Sequence, residues 1–252
     1  PPLRLAADAD TTGWLAKDAG GCGGWHIRRA ADAVGHDATP LRYWQREVSG
    51  SAMSATFVAN GRDAVLLGHN EQIVRALGTR PFVYCGVCGP VAVPAAVARE
   101  VSAAVRAVAA AFGLRGLGSL DYLLDGERVS VLEVNPRPPA SLALYPDAGG
   151  IGVLHAHLRA CLHDELPAAP PPEAGVGGSE IVWAPRPLRL GEAAAAALAA
   201  WPGTHDLPHA GTRFEAGDPL CSVTTRGPDA ASVKIGLARQ REAVLQQLET
   251  IR

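Results

Sequence analysis

The sequence predicts an α+β fold, in which antiparallel hairpins and helices share a core. Two pairs of strand-like segments are each joined by a tight-turn signal, Asn60-Gly61 and Asp125-Gly126. Two long segments, 94–112 and 237–251, carry apolar residues at helical spacing. The composition is that of a globular chain, with 48% hydrophobic and 19% charged residues over 252 positions.

The elements follow in order. Trp14-Leu15-Ala16 is a short apolar strand running into the glycine-rich turn 17–24 (KDAGGCGG). Residues 41–48 and 52–59 are strand-like, and Asn60-Gly61 turns the second into 63–69. Residues 82–88 make another strand. In the helix 94–112, Pro94 suits the first turn and Gly113 the C-terminal cap. Val97, Val101, Val105, Val108 and Phe112 form its apolar stripe. The second hairpin has arms 119–124 and 128–134 and ends at Asn135-Pro136. Residues 151–163 read as a helix. The stretch 166–178 is rich in Pro and Gly and reads as a linker without regular structure. Beyond it come a strand at 180–184, an Ala-rich helix at 191–201 and turn-rich strands around 211–224. The last helix has Leu237, Val244, Leu245, Leu248 and Ile251 on one face.

Charge narrows the functional classes. Basic residues number 23 and acidic residues 25, for a net charge of −2. That balance argues against nucleic acid or an anionic membrane as partner. No apolar run approaches about 18 residues, and no signal peptide is visible. Five cysteines without a secretion signal read as reduced thiols of a cytoplasmic protein. The chain opens on Pro1-Pro2 rather than Met, so an upstream part is expected. Only Lys17 and Lys234 are lysines, in a chain otherwise using Arg. A lysine kept beside a glycine-rich loop is therefore notable as a compact positive charge.

Two features carry chemistry. On the second hairpin, Glu133 and Asn135 lie two apart, so their side chains share a face, and pairing across the turn brings Asp121 towards them. Two carboxylates and an amide oxygen suit Mg²⁺, with Mn²⁺ as an alternative ion. Arg137 follows, a cation suited to phosphate. Taken alone, an exposed hairpin edge with solvated charges explains this cluster equally well. The second feature is the loop at 17–24, whose glycines let backbone N–H groups approach a phosphate. No Gly-Lys-Ser/Thr follows, so it is not a Walker A loop, and a plain turn is an equal reading.

Together and in this order, the motifs resemble the ATP-grasp family of carboxylate–amine ligases, over roughly residues 12–165. "WLAKDAGGCGGWHI" is similar to the family's lysine strand and glycine-rich lid, "YWQREVSG" to its adenine hinge, and "SLDYLL" with "VLEVNPRP" to its metal signature. The resemblance implies that Lys17 contacts the α/β-phosphates and that Gly20, Gly21, Gly23 and Gly24 close over the β/γ-phosphates. It implies a hinge of Gln45, Arg46, Glu47 and Val48, with Glu47 on the ribose. Asp121, Glu133 and Asn135 would ligate the metal, and Arg137 would stabilise the transferred phosphoryl group.

The implied architecture has two α+β subdomains sandwiching ATP. Residues 1–165 would be the catalytic part, 166–178 the linker, and 179–252 a small β-rich appendage ending in a helix. The usual N-terminal α/β domain and a further upstream lysine are not in this chain. The implied activity joins a carboxylate to an amine through an acyl phosphate, releasing ADP. The carboxylase-related character resembles a group that includes tyramine–glutamate ligases. The rivals are a carboxylase-like or phosphotransfer enzyme, or a non-catalytic ATP-binding subunit. Partners would be small-molecule carboxylate and amine substrates, with a homo-oligomer or a second chain as further options.

Other residues carry weaker signals. Cys85 and Cys88 lack a second ligand pair at zinc spacing. His155, His157 and His163 are not three or four apart, and read as surface or core residues. His26, directly after the loop, either touches phosphate or substrate or is solvated. Trp25 and Trp44 read as anchors.

Overall fold

The computed structural model describes residues 1–6, 10–33, 41–145, 150–169 and 175–250. A small sheet uses β1 (Leu3–Arg4), β2 (Trp14–Asp18), β3 (Arg28–Arg29) and β4 (Arg42–Arg46), in the order β1-β4-β2-β3. The large sheet is built from β5 (Ser51–Asn60), β6 (Ala64–Leu77), β7 (Arg80–Val91), β8 (Arg115–Asp125), β9 (Arg128–Asn135), β10 (Val176–Trp183), β12 (Thr204–His205) and β14 (Pro219–Gly227). Its order is β12-β14-β10-β7-β6-β5-β8-β9, with every pairing antiparallel. Two short strands, β11 (Leu188–Arg189) and β13 (Arg213–Phe214), pair apart from it. The helices are α1 (Ala95–Phe112), α2 (Val153–His163), α3 (Glu192–Ala200) and α4 (Ala230–Thr250).

Alternation assigns each large strand to two tasks. Met53, Ala55, Phe57 and Ala59 of β5 join Leu120 and Tyr122 of β8 under Val97, Val101, Val105 and Ala109 of α1. The intervening Val58 and Leu117 pack on the opposite face against Ala156 and Ala160 of α2. A third cluster seats α4 on β10 and β14 through Val233, Leu237 and Val244. Glu180 of β10, almost fully buried, accepts from Arg75 of β6 at 2.6 Å and from Arg241 of α4. That ion network joins helix and sheet.

Several expectations are corrected. The linker assigned to 166–178 ends earlier, because Val176–Gly178 are strand, pairing with β14 throughout and with β7 from Gly177. Gly178 is there for helix approach: a β-carbon would meet Val233 Cγ1 at 2.4 Å. The segment 179–252 is joined to the large sheet through β10, β12 and β14, and only β11 and β13 pair apart from it. Strand β6 runs to Leu77, well past 69, and turns through Gly78-Thr79 into β7. Phe112 is 77% exposed, since the inner stripe of α1 ends on Ala109. Helix α4 starts at Ala230, where Asp229 Oδ1 accepts from Ser232 N at 2.7 Å and caps it. Ile251 lies outside the described residues. No helix among the described residues is long and apolar enough to cross a membrane.

Candidate active site

The second hairpin closes through Gly126-Glu127, with Asp125 opposite Arg128. Its register sets Asp121 opposite Glu133 and Ser119 opposite Asn135, so these side chains share one face, that of α2. Asn135 Nδ2 lies 3.3 Å from Asp121 Oδ2 and 3.5 Å from Glu133 Oε1. Burial, and then the Glu133 charge, push the Asp121 carboxyl up to about 7, although Gln72, Ser119 and Asn135 hydrogen bonds pull it down. A carboxyl held back from ionising beside a second carboxylate is relieved by a hard divalent cation. No group of three His, Cys, Asp or Glu side chains suited to a metal occurs among the described residues, so a cation here depends on the Asn135 amide as third donor.

Lys17 reaches this cluster from the other sheet. It is buried on β2, and its Nζ donates to Gln45 Oε1 of β4 at 2.6 Å. Burial pushes the Lys17 pKa down, while the Glu133 carboxylate opposes that shift. Glu133 likewise acts on His26 and Tyr43. The Glu133 charge is thus felt by Lys17, His26 and Tyr43 of the small-sheet region.

The hinge residues divide. Gln45 points at Lys17. Arg46 lies on the reverse of β4, against the Trp14 ring at 5.8 Å, and donates to Thr12 O at 3.0 Å. Glu47 accepts from Arg29 at 3.2 Å. The Arg46 and Glu47 N–H groups donate to Pro2 O and Gly13 O, both at 2.9 Å. Val48 is half-buried in the connection to β5. Arg137 is exposed, with no ion pair among the described residues.

The glycine loop is pinned at its far end. Gly23 O accepts from Tyr84 N at 2.9 Å, and a β-carbon on Gly24 would meet Phe82 O at 1.8 Å. Gly24, at φ 77°, is therefore required twice over. Gly20 and Gly21 are exposed.

Two participants had escaped the sequence reading. Gln72 donates to Asp121, and the buried Tyr84 hydroxyl is pushed up by burial and by the Asp121 charge. The signal for Gln72 was the polar run His69-Asn70-Glu71-Gln72 inside an apolar stretch, whereas Tyr84 carried none within its strand. Cys85 and Cys88 are both buried on β7 as free thiols, with a bulge at Cys85 between β6 and β7.

A small antiparallel sheet bearing a buried lysine, set against a larger sheet bearing paired carboxylates, defines a nucleotide-dependent class of domain. The ATP-grasp domain model matches residues 5–141, and the chain belongs to that family. Over 105 residues it is 33% identical to the carbamoyl phosphate synthase large chain of Thermus thermophilus, which covers 42% of this chain and 10% of that one. Among solved structures it is similar to N5-carboxyaminoimidazole ribonucleotide synthetase of Thermotoga maritima, with a TM-score of 0.63 and 15% identity, covering 96% of this chain and 66% of that one. It is also similar to an L-amino acid ligase of Bacillus licheniformis, with a TM-score of 0.68 and 10% identity, covering 94% and 63%. The chain thus spans a tenth of that curated relative and just under two thirds of those structures. The ATP-grasp fold expected from the motifs is the fold found.

Proposed function

We propose that this chain binds ATP with a divalent cation and activates a carboxylate for attack by an amine, releasing ADP and phosphate. The observation that carries this reading is the convergence of Lys17 from the small sheet with Asp121, Glu133 and Asn135 from the hairpin. The family and the ligases it resembles support it.

Asp121, Glu133 and Asn135 would hold Mg²⁺ or Mn²⁺, which when bound offsets charge on the phosphates. Lys17, kept in place by Gln45, neutralises the α/β-phosphates. The glycine loop presents backbone N–H groups to the terminal phosphate. The hinge residues Gln45 to Val48 border the nucleotide end of β4. A substrate carboxylate oxygen attacks the γ-phosphorus, the bond to the bridging oxygen breaks, and ADP leaves with that oxygen. Arg137 grips the transferred phosphoryl oxygens in pairs. The amine then displaces phosphate from the acyl carbon and loses a proton. Catalysis on this account is mainly positioning and charge stabilisation.

The test is a phosphate-release screen on this chain with ATP, Mg²⁺ and amino acids paired with amines. ADP and phosphate are expected only when both substrates are present. ATP binding with no turnover for any pair would replace the ligase by a passive nucleotide-binding subunit.

A further inference from the structure

The residues that follow the glycine loop form a unit of their own. Trp25 is clamped from several directions. Its ring meets Trp183 of β10 edge-on at 5.3 Å, and the Arg80 guanidinium of β7 lies 4.7 Å from the ring centroid. Arg80 Nε also donates to Trp25 O at 3.0 Å, and a β-carbon on Gly217 would touch the ring at 3.8 Å. Ile27 N donates to Gly24 O at 3.1 Å, closing a turn around Trp25 and His26. The exit of the loop is thereby docked on the large sheet.

His26 is fixed by this clamp, and its ring lies under the loop. A β-carbon on Gly21 would meet His26 Cγ at 2.0 Å, so ring and loop backbone are in contact. The ring stands within the fields of Lys17, Asp18 and Glu133, the groups that define the nucleotide site. Its Nδ1 is buried and makes no hydrogen bond of good geometry, although the Cys22 backbone interacts with the ring and favours its protonated form. A buried polar atom left unpaired costs stability unless a ligand completes it. What enters between a glycine loop, a lysine and a carboxylate-bound cation is a phosphate group.

We propose that His26 is a binding residue for the terminal phosphate of a nucleoside triphosphate, with its Nδ1 as the contact atom and the Trp25 clamp as its support. This rests on the ATP reading above and assigns that site's discrimination of triphosphate from diphosphate to one side chain.

The test is calorimetric titration of Mg²⁺–ATP and Mg²⁺–ADP into the wild-type chain and into His26→Ala, His26→Asn and His26→Gln. Asn sets a polar atom near the place of Nδ1, whereas Gln sets one near Nε2. Loss of a hydrogen bond to a charged group should weaken ATP binding by about tenfold or more in His26→Ala, with ADP changed by less than about threefold. His26→Asn should recover most of the ATP preference, and His26→Gln should not. Equal losses for ATP and ADP, no loss at all, or a Gln variant that outperforms Asn would overturn the assignment. If His26→Ala fails to fold, the Asn and Gln ratios decide alone. A wild-type chain that binds neither nucleotide would instead bring down the ATP reading, and this assignment with it.

Discussion

The two faces of the β5–β8 pair are written by the same residues in alternation, yet they do opposite work. On the α1 face, Ala55, Phe57, Leu120 and Tyr122 make a closed apolar core. On the α2 face, Ser54, Thr56, Asn70 and Tyr145 form a buried hydrogen-bonded network that borders Asp121. Tyr145 OH donates to Asn70 Oδ1 at 2.6 Å, Asn70 Nδ2 donates to Thr56 Oγ1 at 3.1 Å, and Ser54 sits opposite Asp121 in register. The difference teaches that a strand here supplies a rigid anchor with one set of side chains and a charged site with the other. A change on one face should therefore be separable from a change on the other.

The strongest break of that comparison is Leu120→Ala, on the core face. It should cost about 2–5 kcal/mol of stability through the cavity it leaves, while the folded protein keeps its ATP affinity. Denaturant melts paired with ATP titrations check this. On the site face, Glu133→Gln and Asn135→Ala should each lower Mg²⁺-dependent ADP formation by about 10²-fold or more, with melting curves nearly unchanged. Near-normal turnover in both would remove the metal assignment. Arg137→Lys should reduce turnover far more than ATP affinity, because a bidentate grip matters most when charge is moving. Equal losses would make Arg137 a ground-state anchor only.

Protonation sharpens the same contrast. Asp121 titrates at about 7, raised from 3.8, so below that pH it keeps its proton and cannot ligate. Divalent-cation affinity should then fall as pH drops through 7, by up to about tenfold per unit, and Asp121→Asn should flatten the profile. Mn²⁺ titrations at pH 6 and 8 measure it. The smallest effect belongs to the supporting network. Tyr145→Phe leaves Asn70 Oδ1 without its donor and should cost about 1–2 kcal/mol by thermal melting.

Much of this division was legible in the sequence where local signals are strong. Asn60-Gly61 and Asp125-Gly126 marked both hairpins. The two-residue spacing of Glu133 and Asn135 put them on one face, whereas the bulge at Leu132 that sets Asp121 opposite Glu133 carries no local signal. The signals failed where tertiary contacts overrule local pattern. The strand read at 63–69 stopped short because the residues that continue it are polar and serve a site and a helix contact, with Gln72 on Asp121 and Glu71 on Lys234. Gly178 looks like linker because its purpose, close approach of α4, exists only in the folded chain. The two lysines were separable locally: Lys17 stands beside the glycine-rich loop and is buried on β2, whereas Lys234 has no such neighbour and is a half-exposed partner of Glu71.

The central claim is that this site transfers the γ-phosphoryl group of ATP to a carboxylate. Positional isotope exchange tests it most directly, using ATP labelled with ¹⁸O at the β–γ bridge, Mg²⁺ and the carboxylate found by screening, with no amine present. The account predicts scrambling of the label into the non-bridging β-position that requires the carboxylate and disappears in Glu133→Gln. Scrambling that ignores the carboxylate, or none in a protein that turns over with both substrates, would contradict it.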